Sequence, residues 1–327
     1  MKRIIQLLLS LMLPLCSFAG DGFIIKGKVT GIISGYVSVI VNNRADGSPV
    51  HPPMPEKVRI VNGEFTYAGT IDRPDWVTLK ISTKSIPVLL ENVNYEINCS
   101  FDSLKADKLK GGLMNDHFQA YQKSLKKPLE YVLEHPDLEF SAWMAYFYLT
   151  SLEDCTMAEK ALSFRAKASP NGQLFMYRME TFRKTAAGTT FPALKMTGTD
   201  GKAFNVADMK GKVVVLDFWA SWCTPCIAFI PKLREHYRNF KDKDVVFVSV
   251  SVDDDVRKWQ NAMAEQAMEW NQVLADGAFR KGEGIQQMFN ISSIPYVIIV
   301  DRQGKIAASL DYIGKETLKD VLTKLIQ

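Results

Sequence analysis

The chain has 327 residues, 47% of them hydrophobic, with five cysteines and 40 basic against 36 acidic side chains, a formal charge of +4. That length exceeds a single domain of ~100–200 residues, and the composition excludes collagen-like, disordered and cysteine-stapled miniprotein classes. The small basic excess has no long run behind it, so the electrostatic footprint of nucleic-acid binding is missing.

The chain opens on Met1-Lys2-Arg3, continues as an apolar stretch from Ile4 to Leu15, and reaches small residues at Ser17 and Ala19. This order predicts a secretory signal peptide over 1–19. The apolar run is short and broken by Pro14, which argues against the competing reading of an uncleaved membrane anchor. Cys16 offers a lipid anchor as a further alternative, although Leu15 stands where lipoprotein processing favours a small residue. The expected location is the periplasm, where disulfides persist.

Residues 20–103 read as an all-β, sandwich-like domain. Short apolar runs at 23–29, 36–41, 57–61, 64–67, 76–81, 86–90 and 95–99 are separated by turn residues. Asn62-Gly63 is the best hairpin signal, because a tight hairpin turn needs positive φ there. The proline-bearing stretch 46–56 reads as a loop. Residues 104–187 read as helical, with Leu113, His117, Ala120 and Tyr121 on one face and Leu129, Val132 and Leu133 on another. The aromatic stretch 140–149, with Trp143, Tyr146, Phe147 and Tyr148, reads as a core-packing helix. From 188 to 327 strands and helices alternate, which implies an α/β domain. Its strands are expected at 213–219, 245–252, 296–301 and 305–310, and its helices at 224–240, 256–268 and 315–326.

The chemistry-bearing motif is Trp219-Ala220-Ser221-Trp222-Cys223-Thr224-Pro225-Cys226, where the first buried strand passes into its helix. Two residues between the cysteines place both thiols on the first helical turn. There the unpaired N–H groups and the helix dipole favour a thiolate at Cys223, the attacking form in disulfide exchange. Pro225 suits that turn because its missing N–H would have no partner there. A zinc site would need a second close pair of ligands, which Cys99, Cys155 and four scattered histidines do not provide. A c-type haem site would need histidine where Ile227 stands. A purely structural bridge would close too small a loop to constrain the unfolded chain much. Asp253-Asp254-Asp255 reads as a helix N-cap rather than a metal site. Cys99 and Cys155 are either a bridge between the two N-terminal regions or two buried thiols. No metal or cofactor is expected.

The segment Val215-Leu216-Asp217-Phe218-Trp219-Ala220-Ser221-Trp222-Cys223-Thr224-Pro225-Cys226 resembles the active-site segment of thioredoxin-fold oxidoreductases. The stretch from Phe191 to the C-terminus is similar to the exported TlpA/ResA-like branch. Phe191-Pro192, Asp200-Gly201-Lys202, Gly211-Lys212-Val213, Ile294-Pro295-Tyr296 and Asp301-Arg302-Gln303-Gly304-Lys305 carry that likeness. The resemblance implies a C-terminal thioredoxin fold with Cys223 as nucleophile and Cys226 as resolving thiol. It also implies a cis-proline at Pro295, substrate backbone contacts at Ile294, a contact surface at Trp222, and Asp217 as a buried carboxyl that moves the Cys226 proton. Pro231 falls where the family kinks its active-site helix.

Two positions depart from the family. Phe229 stands where many members of the branch have glutamate, and Ser249 stands where thioredoxins pair lysine with the buried aspartate. The expected function is a periplasmic thiol-disulfide oxidoreductase that reduces exported substrate proteins and is recharged by a redox partner. Membrane contact would arise only through that partner or a lipid anchor. A peroxiredoxin-like thiol peroxidase and a non-enzymatic binding protein on a thioredoxin scaffold are the alternatives.

Overall fold

The computed structural model describes residues 22–41, 53–277, 279, 284–291 and 293–327; the signal peptide expected over 1–19 and most of the stretch 46–56, expected as a loop, lie outside them. The described chain divides into two compact units, one ending at Lys123 and the other beginning at Ser124.

The first unit holds β1 (Phe23–Thr30), β2 (Ser34–Val41), β3 (Val58–Val61), β4 (Glu64–Gly69), β5 (Asp75–Ile81), β6 (Lys84–Leu90), β7 (Asn94–Ser100), the short β8 (Leu109–Lys110) and helix α1 (Leu113–Lys123). Strict alternation in β1 buries Phe23, Ile25 and Val29 and exposes Lys26 and Lys28, the pattern of a sheet with one covered face. All eight strands join one sheet in the order β6-β5-β2-β3-β4-β1-β7-β8. Val88 of β6 and Ile97 of β7 nevertheless share a single core with Ile25, Ile60 and Leu79. The sheet therefore curls over its own buried face, which produces the sandwich-like region expected from the sequence. Asn62 and Gly63 take φ of 50° and 80° and set Val61 opposite Glu64, as a tight hairpin requires. Gly27 admits the Phe65 ring, which lies 2.1 Å from where a β-carbon would stand. Helix α1 is rotated from the expected face. It buries Met114, Asn115 and Phe118 and leaves Leu113 61% exposed.

The second unit begins with five helices, α2 (Pro128–Glu134), α3 (Glu139–Tyr148), α4 (Leu152–Ala161), α5 (Phe164–Ala168) and α6 (Pro170–Lys184). Helix α3 is the aromatic one, and Phe140, Trp143 and Met144 are buried as expected. On α2, Tyr131 and Val132 are buried instead of Leu133. Ser151, Ser163 and Ser169 start the three helices that follow α3, each accepting a hydrogen bond from a first-turn N–H.

The remaining elements are β9 (Met196–Gly198), β10 (Ala203–Phe204), β11 (Val213–Trp219), α7 (Thr224–Phe240), β12 (Val245–Ser251), α8 (Val256–Glu265), β13 (Asn271–Ala275), α9 (Gly284–Phe289), β14 (Tyr296–Val300), β15 (Ile306–Leu310) and α10 (Leu318–Leu325). Their sheet runs β10-β9-β13-β12-β11-β14-β15. Strands β11, β12 and β13 are parallel, and β14 is antiparallel to β11. Every residue of β11 is buried, as expected of a central strand covered on both faces. This is the α/β thioredoxin fold. Helix α8 stops at Glu265, because Ala267 takes a positive φ of 45°. The last expected helix begins as a 3₁₀ turn over Gly314–Thr317 before α10. Strand β13 and the six-residue α9 were not expected from the sequence. Among the described residues no helix is long and apolar enough to cross a membrane.

Candidate active site

Cys223 is the N-cap of α7, which starts at Thr224 with Pro225 in its first turn. The Cys226 N–H donates to Cys223 Sγ at 3.3 Å, and the two sulfurs form a disulfide with their Cα atoms 5.3 Å apart. The helix thus meets its first cysteine with an N–H donor already aimed at the sulfur. On reduction the same donor and the helix dipole stabilise a thiolate there. Both cysteines are buried, whereas the neighbouring Trp222 is 57% exposed, with its ring centroid 6.1 Å from that of Phe279.

Strand β11 enters this turn from one side and β14 leaves the adjacent loop antiparallel to it, so the Ile294–Pro295 bond lies at the same end of the sheet. That bond is cis. Cys223 Sγ lies 3.7 Å from the Ile294 carbonyl oxygen, and Pro295 is buried. Pro231 lies inside α7.

Asp217 sits mid-strand in β11, between Ser249 of β12 and Val297 of β14. It is 3% exposed. Burial raises its pKa to about 7, while the Ser249 hydrogen bond and the charge of Lys315 pull in the opposite direction. The Ser249 hydroxyl donates to Asp217 Oδ2 at 3.1 Å and accepts from the Trp270 indole N–H at 2.8 Å.

A second buried carboxylate holds the loop before the disulfide. Asp253 is 3% exposed and accepts from the Ser221 N–H at 2.9 Å, from the Ser221 hydroxyl at 2.6 Å and from the Ser251 hydroxyl at 2.8 Å. The acidic cluster therefore splits between two tasks. Asp255 caps α8 as expected, accepting from the N–H groups of Arg257 and Lys258, whereas Asp253 faces inward and ties β12 to the Trp222–Cys223 turn. Sequence reasoning missed that contact, and it missed Lys315 and Trp270. Cys99 and Cys155 are both free thiols, so no bridge joins them. Burial pushes both thiols up, away from the thiolate form needed for exchange.

A CxxC disulfide at a helix start, flanked by a cis-proline loop and a buried carboxyl, defines a thioredoxin-like redox domain. Residues 186–322 match the family model described as Redoxin, and residues 23–118 match a domain of unknown function, DUF4369. The chain is 30% identical over 139 residues to the thioredoxin-like protein YneN of Bacillus subtilis, covering 42% of this chain and 78% of that protein. It is 28% identical over 134 residues to the thiol-disulfide oxidoreductase ResA of Bacillus anthracis, covering 41% and 73%. Among solved structures, the thioredoxin domain of a thiol-disulfide oxidoreductase from Bacteroides vulgatus is 33% identical, covering 43% of this chain and 98% of that one, with a TM-score of 0.39. The chain belongs to the thioredoxin-like family of thiol-disulfide oxidoreductases, and Cys223–Cys226 is its redox-active disulfide.

Proposed function

We propose that the chain works outside the cytoplasm as a reductant of disulfides in exported proteins. Residues 188–327 form its catalytic domain, behind a leader at 1–19, a β region at 20–103 and a helical region at 104–187. In the reduced enzyme the Cys223 thiolate attacks a substrate disulfide, forming a mixed disulfide and releasing one substrate thiolate, which takes a proton from solvent. Asp217 then takes the Cys226 proton, and the Cys226 thiolate attacks Cys223 Sγ. This closes the Cys223–Cys226 bond and expels the second substrate thiolate. The substrate gains two electrons and the enzyme dithiol loses them. A thiol donor, soluble or in the membrane, returns the enzyme to the dithiol.

The observation that carries this reading is the N-cap position of Cys223, with the Cys226 N–H on its sulfur and the cis Ile294–Pro295 bond beside it. Trp222 supplies an exposed apolar surface for the substrate, and the Ile294–Pro295 loop supplies an edge of backbone against which an extended segment can lie. The location rests on the leader, and the direction of electron flow rests on Thr224-Pro225 between the cysteines. Insulin-disulfide reduction by the mature protein, compared with Cys223→Ser, tests the chemistry; equal rates end the proposal. The equilibrium potential of the couple against glutathione tests the direction. A potential well above that of the glutathione pool would make the chain an oxidant instead.

A further inference from the structure

Ser249 and Asp217 are paired residues of the adjacent parallel strands β12 and β11, so their side chains leave the same face of the sheet. Ser249 is fully buried and Asp217 is 3% exposed. A serine so placed can turn its hydroxyl toward backbone groups of its own strand instead. A third residue holds it to the carboxyl. The Trp270 indole N–H donates to Ser249 Oγ at 2.8 Å, and the Ser249 hydroxyl donates to Asp217 at 3.1 Å.

Trp270 is 6% exposed and stands immediately before β13. Its ring and its backbone are both fixed. The Tyr237 ring packs on the indole with centroids 5.4 Å apart, and it meets Phe247 of β12 edge-on at 5.8 Å. Tyr237 belongs to α7, the helix that Cys223 caps. Gln272 Nε2 donates to the Trp270 carbonyl at 3.3 Å. Asn271 Nδ2 donates to the Phe247 carbonyl at 3.1 Å and ties the start of β13 to β12. The polar pair at the head of β13 thus clamps the indole against the sheet.

We propose that Trp270 is a positioning residue of the resolving half-reaction: its indole N–H turns the Ser249 hydroxyl onto Asp217, and the hydroxyl steadies the carboxylate that receives the Cys226 proton. The proposal rests on the role given above to Asp217. Consecutive hydrogen bonds polarise one another, and a bond to the ionised form of an acid favours that form. The Ser249 hydroxyl accordingly draws Asp217 down, against the burial that pushes it up. The charge acting on Asp217 is that of Lys315, which every variant below leaves in place. Neither a proton nor an electron passes through the indole; it sets how readily Asp217 ionises.

The test uses the reduced full chain and dithiobis(nitrobenzoate), a chromogenic disulfide that loses one aryl thiolate on attack and the second on resolution. The second phase is followed by stopped flow between about pH 5.5 and 9, a window that brackets the carboxyl. Ser249→Ala is expected to move the midpoint of the resolving phase up by about one unit, a roughly tenfold slower resolution near pH 6. Trp270→Phe keeps a ring against Tyr237 and removes the N–H. It is expected to move the midpoint up by about half a unit, a roughly threefold effect. In the Ser249→Ala background Trp270→Phe is expected to add no shift, a result that general loosening of the core would not give. A parental midpoint in either single variant, or the same Trp270→Phe shift in the Ser249→Ala background, overturns the proposal. A parental profile for Asp217→Asn overturns the Asp217 reading and this proposal with it. An altered Asp217→Asn profile beside an unaltered Trp270→Phe profile removes this proposal alone.

Discussion

Replacing Asp217 with asparagine removes a charge that the fold buries and leaves a side chain of nearly the same shape. In the native protein burial pushes the carboxyl up to about 7, against about 3.9 for an exposed aspartate. A shift of about three units, at about 1.4 kcal/mol each, is worth about 4 kcal/mol. The sign follows from which state holds the proton. Between pH 4 and 7 the unfolded chain has lost it and the native chain keeps it, so raising the pH favours unfolding. Stability associated with this group is present in full below about pH 4 and is lost as the pH rises through 7. The asparagine variant carries no such penalty. It is expected to match the parent near pH 4 and to exceed it by about 2–4 kcal/mol at pH 8. The assay is guanidinium unfolding of the oxidised proteins across that range, followed by emission from Trp219, Trp222, Trp259 and Trp270, which all lie in the redox domain. A gain that does not change with pH, or a loss at pH 8, would refute the reasoning.

Three further outcomes follow from the geometry. Cys226→Ser should leave the attack intact and block resolution, so mass spectrometry of a reaction with a peptide disulfide should find the peptide bound to Cys223; a free enzyme would contradict the order of steps. Asp253→Ala strips the acceptor from the Ser221 N–H and from two hydroxyls, and should cost about 2–4 kcal/mol in thermal or denaturant unfolding, with a slower first attack because the Trp222–Cys223 turn loosens. Gly27→Ala would place a β-carbon 2.1 Å from the Phe65 ring; it should destabilise the N-terminal sheet by about 1–3 kcal/mol, read as faster limited proteolysis of that region, while insulin reduction persists.

Features written in short-range code were legible from the residues. The start of α7 at Thr224, the positive-φ hairpin at Asn62-Gly63 and the Asp255 cap each depend on neighbours within four positions. Features that depend on long-range packing were not. Helix α1 carries apolar side chains at both Leu113 and Met114, and packing buries Met114 and leaves Leu113 in solvent. Strand β13 begins with the polar pair Asn271-Gln272, which hides it among turn residues. The cis bond at Pro295 was expected only through family likeness, because nothing local distinguishes that proline. Asp253 meets Ser221 across 32 positions, and Trp270 meets Ser249 across 21. Lys315 looked like one more surface charge at the head of an amphipathic helix until the turn folded it over Phe229.

The bond from Trp270 to Ser249 sets a direction as well as a distance. The indole can only donate, so it occupies an acceptor site of the Ser249 oxygen, and the hydroxyl hydrogen points at Asp217 Oδ2. The carboxyl oxygen that accepts the serine hydrogen is Oδ2, which favours Oδ1 as the place of a proton on the neutral carboxyl. The core thus distinguishes two chemically equivalent oxygens, and a tryptophan with no place in the redox motif sets which of them accepts from the serine.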